Sequence, residues 1–240
     1  MKRHMKAQVA REDVSYEVSF RRPLLDWASA ALPLFQSLYD QLSENFSLTL
    51  ADVAVHADPH PAYAVASIRL FGGAGAVELR PDRWRATFRN LRSDEDRKIV
   101  MRCLSLLESG VEAEGRPDRH KSAQSLVAIA SWYVCEGGAT AVTELLNRHG
   151  SLETPISQGF LGAEDIDFNV NPRLRNPREG WDVTFLIQPS LMEGTHLFAN
   201  YSGTYIDGGR YNSIEQKAEH AKLMLTGMLE KIGVELTNIA

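Results

Sequence analysis

The stretch Val14-Ser15-Tyr16-Glu17-Val18-Ser19-Phe20 alternates apolar and polar side chains, which is the period of a β-strand with one buried face. The elements after this strand set the fold class. Ala31, Phe35, Leu38 and Leu42 recur at helical spacing, with Pro33 confined to a first turn or a kink, and predict a helix over 27–44. Strand-like stretches come next at 48–56, 63–71, 75–80 and 83–89. Gly72-Gly73-Ala74-Gly75 and Pro81-Asp82 separate the later ones and read as tight hairpin turns, so these strands form an antiparallel meander. Ser93 with Asp96 makes a capping box for a second helix, whose inner face is Ile99, Cys103, Leu106 and Leu107 and which ends near Gly110.

The order of elements then begins again. Leu126 to Cys135 is apolar on both faces, as a central strand would be. A helix starts at Gly138 or Ala139 and stops at Gly150 in the C′ position, strands are expected at 165–171, 181–188 and 196–206, and Ser213 with Gln216 caps a last helix. That helix runs through Ala218, Ala221, Leu225, Met228 and Ile232 to Gly233. The expected fold is therefore α+β. It has two similar β-α-β(3-4)-α units, residues 14–112 and 125–236, joined by a charged linker at 113–124, with helices backing antiparallel meander sheets that could join edge to edge into one curved sheet. Such a topology is similar to that of saddle-shaped tandem folds like the TATA-binding proteins, a likeness of element order alone, with no shared motif. Residues 151–164 fit this scheme least well, because a structureless loop of that length is uncommon inside a compact domain.

Composition sets the outer bounds. At 240 residues, 44% hydrophobic and 24% charged, the chain is globular in character and large enough to bury a core without staples. No run reaches the roughly 18 apolar residues of a membrane span. The basic start, Met1 to Lys6, precedes Gln8, Arg11, Glu12 and Asp13 where a secretory segment would need apolar residues, so it reads as a frayed tail of a cytoplasmic protein. Cys103 and Cys135 are the only cysteines, which suggests neither a disulfide framework nor a cysteine zinc site. The net charge of -5 argues against a globally basic nucleic-acid binder, yet residues 1–120 hold 17 Lys/Arg against 17 Asp/Glu while residues 121–240 hold 9 against 14. A local anion-binding surface in the first half is compatible with that asymmetry.

Arg83-Trp84-Arg85-Ala86-Thr87-Phe88-Arg89 is the most informative stretch for function. Strand alternation sends Trp84, Ala86 and Phe88 to the core and Arg83, Arg85, Thr87 and Arg89 to the opposite face. Arg69 and Arg80 on neighbouring strands would add to that face, with Glu78 as the visible counter-charge; guanidinium forks suit phosphate or carboxylate. Arg173 and Arg175, in the basic segment Asn171-Pro-Arg-Leu-Arg-Asn-Pro-Arg178, form a second cluster, read as a loop because of its two prolines. Cys135 precedes Glu136-Gly137-Gly138 and a helix, the setting of an activated thiol, but Glu136 opposes a thiolate and a packing role is the simpler reading. His56, Asp58 and His60 alternate like metal ligands, though Pro59 and Pro61 favour a turn. Asp207 to Asn212 leads into the last helix, where backbone amides could hold an anion. No carboxylate pair has the spacing of an acid and base couple. These features point to a non-enzymatic binding or adaptor protein acting through a sheet face or loops, with no cofactor. A protein partner or a second copy of the chain is favoured over a sensor of a small anionic ligand; a cysteine-dependent enzyme or a nucleic-acid binder comes last.

Overall fold

A computed structural model describes residues 4–23, 27–42, 49–56, 58, 60, 63–113, 122–149, 170–191 and 196–237. In chain order these form β1 (Met5–Phe20), α1 (Trp27–Leu42), β2 (Val53–His56), β3 (Val65–Leu70), β4 (Gly75–Leu79), β5 (Arg83–Leu91), α2 (Asp94–Ala113), β6 (Ser122–Cys135), α3 (Gly138–His149), β7 (Arg173–Asn176), β8 (Trp181–Pro189), β9 (His196–Ile206), α4 (Ile214–Ile232) and β10 (Val234–Leu236). All ten strands belong to one sheet, in the order β2-β3-β4-β5-β1-β6-β9-β8-β7, with β10 parallel to β1 and the remaining pairs antiparallel. The fold is α+β, as expected. Each half sends its first strand to the middle, crosses through a helix to the outer edge, and meanders back to pair with that first strand. The two middle strands, β1 and β6, are the longest at 16 and 14 residues, and their antiparallel ladder joins the halves.

One face of the sheet carries the core. Tyr16, Val18 and Phe20 of β1, Trp84, Ala86 and Phe88 of β5, and Val127 and Ile129 of β6 are buried with Leu104 and Leu107 of α2 and Ala221, Leu225 and Leu229 of α4. Tyr16 stacks on Trp84 at a centroid distance of 5.4 Å. In the second half this core includes a polar strip: the hydroxyls of Tyr201 and Tyr205 lie 2.6 Å apart, and the Tyr205 hydroxyl is 2.9 Å from His220 Nδ1. Gly203 makes that possible, since a Cβ there would lie 2.3 Å from the Tyr201 hydroxyl.

Both capping boxes form. Asp96 N–H donates to Ser93 Oγ at 3.1 Å while the Asp96 carboxylate accepts from the Ser93 N–H at 2.9 Å. Ser213 and Gln216 do the same for α4, which ends at Gly233 with φ 93°. The Gly72 and Pro81-Asp82 links are hairpins.

Three readings are corrected. The start of the chain is not a frayed tail from Met5 onward, because Met5 and Lys6 pair with Val234 and Glu235 of β10. Residues 173–176 are not loop: they form the edge strand β7, with Pro172 and Pro177 bracketing it rather than interrupting it. The even residues of β6 are not enclosed on both sides, since Leu126 and Val134 are exposed on the face away from the helices. Gly150, residues 151–164 and most of the strand expected at 165–171 lie outside the described residues; Val170 makes an isolated bridge to Ile187. No described helix is long and apolar enough to cross a membrane.

Candidate interaction face

Pairing register fixes which side chains share the face opposite the helices. One row crosses eight strands as Arg69, Ala76, Thr87, Ser15, Ala128, Ser202, Thr184 and Arg173. Nothing between the two arginines is larger than threonine, and at the usual strand spacing the row spans about 34 Å. The adjacent row reads Ser67, Glu78, Arg85, Glu17, Leu126, Thr204, Asp182 and Arg175.

The arginines predicted for this face are on it. Arg69, Arg85 and Arg89 are exposed and Arg80 and Arg83 half-buried. Arg69 Nη2 donates to the Ala51 carbonyl at 2.8 Å, and Arg85 Nε donates to Ser15 Oγ at 3.3 Å. Arg80 pairs with Glu78 at 3.6 Å, whereas Arg83 is shared between Glu17 and Asp82 at 3.9 Å each. Glu78 is thus not the only counter-charge, because β1 brings Glu17 beside Arg83 and Arg85. Among the described residues Arg89 has no ion-pair partner. Glu17, Glu78, Arg80, Arg83 and Arg85 line a depression of about 80 Å³.

The second cluster occupies the same face but not the same place. Arg173 Nε donates to Asp182 Oδ1 at 2.8 Å, and Arg175 lies 3.8 Å from Asp182 Oδ2. The hydrogen bonds from Arg173 hold the Asp182 carboxyl below its usual range. β5 and β7 are five strand spacings apart, about 24 Å, so the two clusters do not converge.

Between them lies a group that the sequence did not disclose. Arg11 stacks over Trp132 with its guanidinium carbon 3.9 Å from the ring centroid, and Trp132 meets Phe198 at 5.0 Å. Arg11 Nε is buried without an acceptor, and the nearest carboxylate oxygen, Asp13 Oδ2, is 4.0 Å from Nη2. Trp132 was hidden within an apolar run whose even and odd positions look alike. Arg11 continues the alternation back from Val14, since the β1 bulge lies beyond it at Val9/Arg11 and the shift at Glu12/Val14 adds its extra residue to β5; it was hidden because its partner Trp132 comes from a strand more than a hundred residues away.

The remaining candidates are occupied by structural roles. Cys135 is buried, its thiol donates to the Tyr133 carbonyl at 3.6 Å, and burial pushes its pKa up to about 11. The Asp58 carboxylate accepts the His60 N–H at 2.8 Å, which makes a turn, and no metal-binding group of three or more His, Cys, Asp or Glu occurs among the described residues. The Glu108 carboxylate already accepts the Ile214 N–H at 3.1 and 3.3 Å, taking the anion position at the start of α4.

No protein-family model and no curated protein matches the chain. Among solved structures it is similar to the Methanococcus jannaschii TBP, at 13% identity and a TM-score of 0.30, over 94% of this chain and 99% of that one.

Proposed function

We propose that this chain is a non-enzymatic binding or adaptor protein that engages an acidic protein partner through the helix-free face of its sheet. The observation that carries this reading is the gathering of Arg69, Arg80, Arg83, Arg85 and Arg89 on an open face where Glu17, Glu78 and Asp82 offset only part of their charge. Arginine forks desolvate more readily than ammonium groups and match carboxylates in geometry. A small-ligand sensor is less well supported: the depression among these arginines is about 80 Å³ and includes two carboxylates, whereas metabolite pockets run to several hundred Å³.

The triple variant Arg83→Gln/Arg85→Gln/Arg89→Gln tests this reading, with polyglutamate as the acidic probe. Stability should change by no more than about 0.5 kcal/mol at Arg85 and Arg89, as for exposed positions generally, and by up to about 1 kcal/mol at half-buried Arg83, which gives up its pairing with Glu17 and Asp82. Polyglutamate binding should weaken, and binding to the native protein should fall as salt rises. A large loss of melting temperature would make these arginines internal ion-pair partners instead. Unchanged binding would remove them from the functional account.

A further inference from the structure

The arginine cluster accounts for attraction to an acidic surface but not for selection among acidic surfaces. Arg11 is placed to do that. Its guanidinium carbon lies 3.9 Å from the Trp132 ring centroid, and its Nε is buried with no hydrogen-bond acceptor among the described residues. Asp13, at 4.0 Å, is beyond hydrogen-bond reach and already accepts the Asn90 N–H at 2.8 Å. The side chain is 35% exposed, so with Nε buried it is the Nη edge, its plane held by an indole, that is preorganised to receive a carboxylate. Beside it the surface changes character: Trp132 packs on Phe198, and Val134, next along β6 on the same face, is 46% exposed. Arg89 is two strand spacings and two residues from Trp132, about 12 Å, the span of about four extended residues.

We propose that Arg11, Trp132, Phe198 and Val134 form a specificity site for a partner segment in which an acidic residue is followed by an aromatic or aliphatic one. Arg11 takes the carboxylate, the apolar side chain covers Phe198 and Val134, and acidic residues further along reach Arg89 and Arg85. This rests on the sheet face being the surface that engages the acidic partner. A single-stranded nucleic acid would also offer anions beside flat rings, but Glu17, Glu78 and Asp13 on the same face repel a continuous phosphate chain more than they do spaced carboxylates.

Four probes separate the cases: a peptide alternating glutamate clusters with phenylalanine and leucine, the same peptide with serine for the apolar residues, the same with glutamine for glutamate, and an oligothymidylate of matching length. The first should bind at least about tenfold more tightly than the other three. Arg11→Lys, which keeps the charge and loses the planar fork, and Trp132→Ala should each weaken the first peptide severalfold and narrow its advantage over the serine peptide, with the melting temperature of each variant measured beside its binding. Equal binding of the first two peptides, or indifference to Arg11→Lys, would overturn the specificity site and leave the arginine face standing. If the Arg83/Arg85/Arg89 variant bound the serine peptide as well as the native protein, the face reading itself would fail. Tightest binding by the oligothymidylate, or no binding of any probe at about millimolar concentration, would overturn the proposal.

Discussion

His220 shows how a single side chain ties the second half's core to pH. It is buried against Tyr205, Tyr211 and Trp181, with Tyr211 stacked on it at 4.2 Å. Burial holds its pKa below the ordinary histidine value; Arg210 adds to that and Glu179 opposes it. With Nδ1 as acceptor, Tyr205 donates to His220 and Tyr201 to Tyr205, whereas a protonated ring would donate to the Tyr205 oxygen and turn that hydroxyl's proton away, toward the Lys217 carbonyl at 3.3 Å. The unfolded chain therefore binds this proton more readily than the folded one. Stability from His220 is complete above about pH 6.5, the unfolded value, and is lost as pH falls through the lower folded value. Melting temperature followed from about pH 8 to 5 should drop more steeply for the native protein than for His220→Gln. Parallel profiles would show that other groups govern the acid limb. Of the residues facing the open side, Arg83, Arg85 and Arg89 were legible because Trp84 and Phe88 declare the strand's buried face. Arg11 was not: the alternation from Val14 reaches it, but its setting is made by Trp132 of β6, a long-range pairing that nothing local announces.

Among the helices, α4 takes part of its cap from the other half of the chain. Its first turn is closed by the Ser213 and Gln216 box and by the carboxylate of Glu108, which comes from α2. Replacing Ser213 with alanine should cost about 1 kcal/mol in chemical denaturation, the usual loss for a cap. Glu108→Ala should cost at least as much, about 1–2 kcal/mol, because it leaves Ile214 N–H without its acceptor beside the positive end of the helix. A neutral Glu108→Ala would mean that water replaces the carboxylate without penalty. Both capping boxes were readable from local sequence, since their chemistry lies within four residues. β10 and β7 were not. Val234–Leu236 becomes a strand only because Met5–Ala7 lies alongside it, and Arg173–Asn176 only because β8 offers an edge; short pairings of that kind are decided by the partner strand.

For the whole molecule, the repeated order of strand, crossover helix and meander was enough to place both halves in one α+β architecture. It was not enough to place the arginine clusters relative to each other. That separation depends on β1 and β6 meeting at the centre of a single sheet, a long-range pairing that no local pattern encodes. The same pairing creates the open face, with arginines on β3 to β5, small side chains across β1, β6 and β9, and Trp132 and Phe198 toward one end. The most direct test of that face is residue-resolved amide and arginine side-chain NMR during titration with polyglutamate at low salt. Shifts should concentrate at Arg69, Arg83, Arg85, Arg89 and the neighbouring Ser15 and Glu17, while α2 and α4 stay still. Perturbations centred on the outer surfaces of those helices, with the sheet face unmoved, would contradict the account.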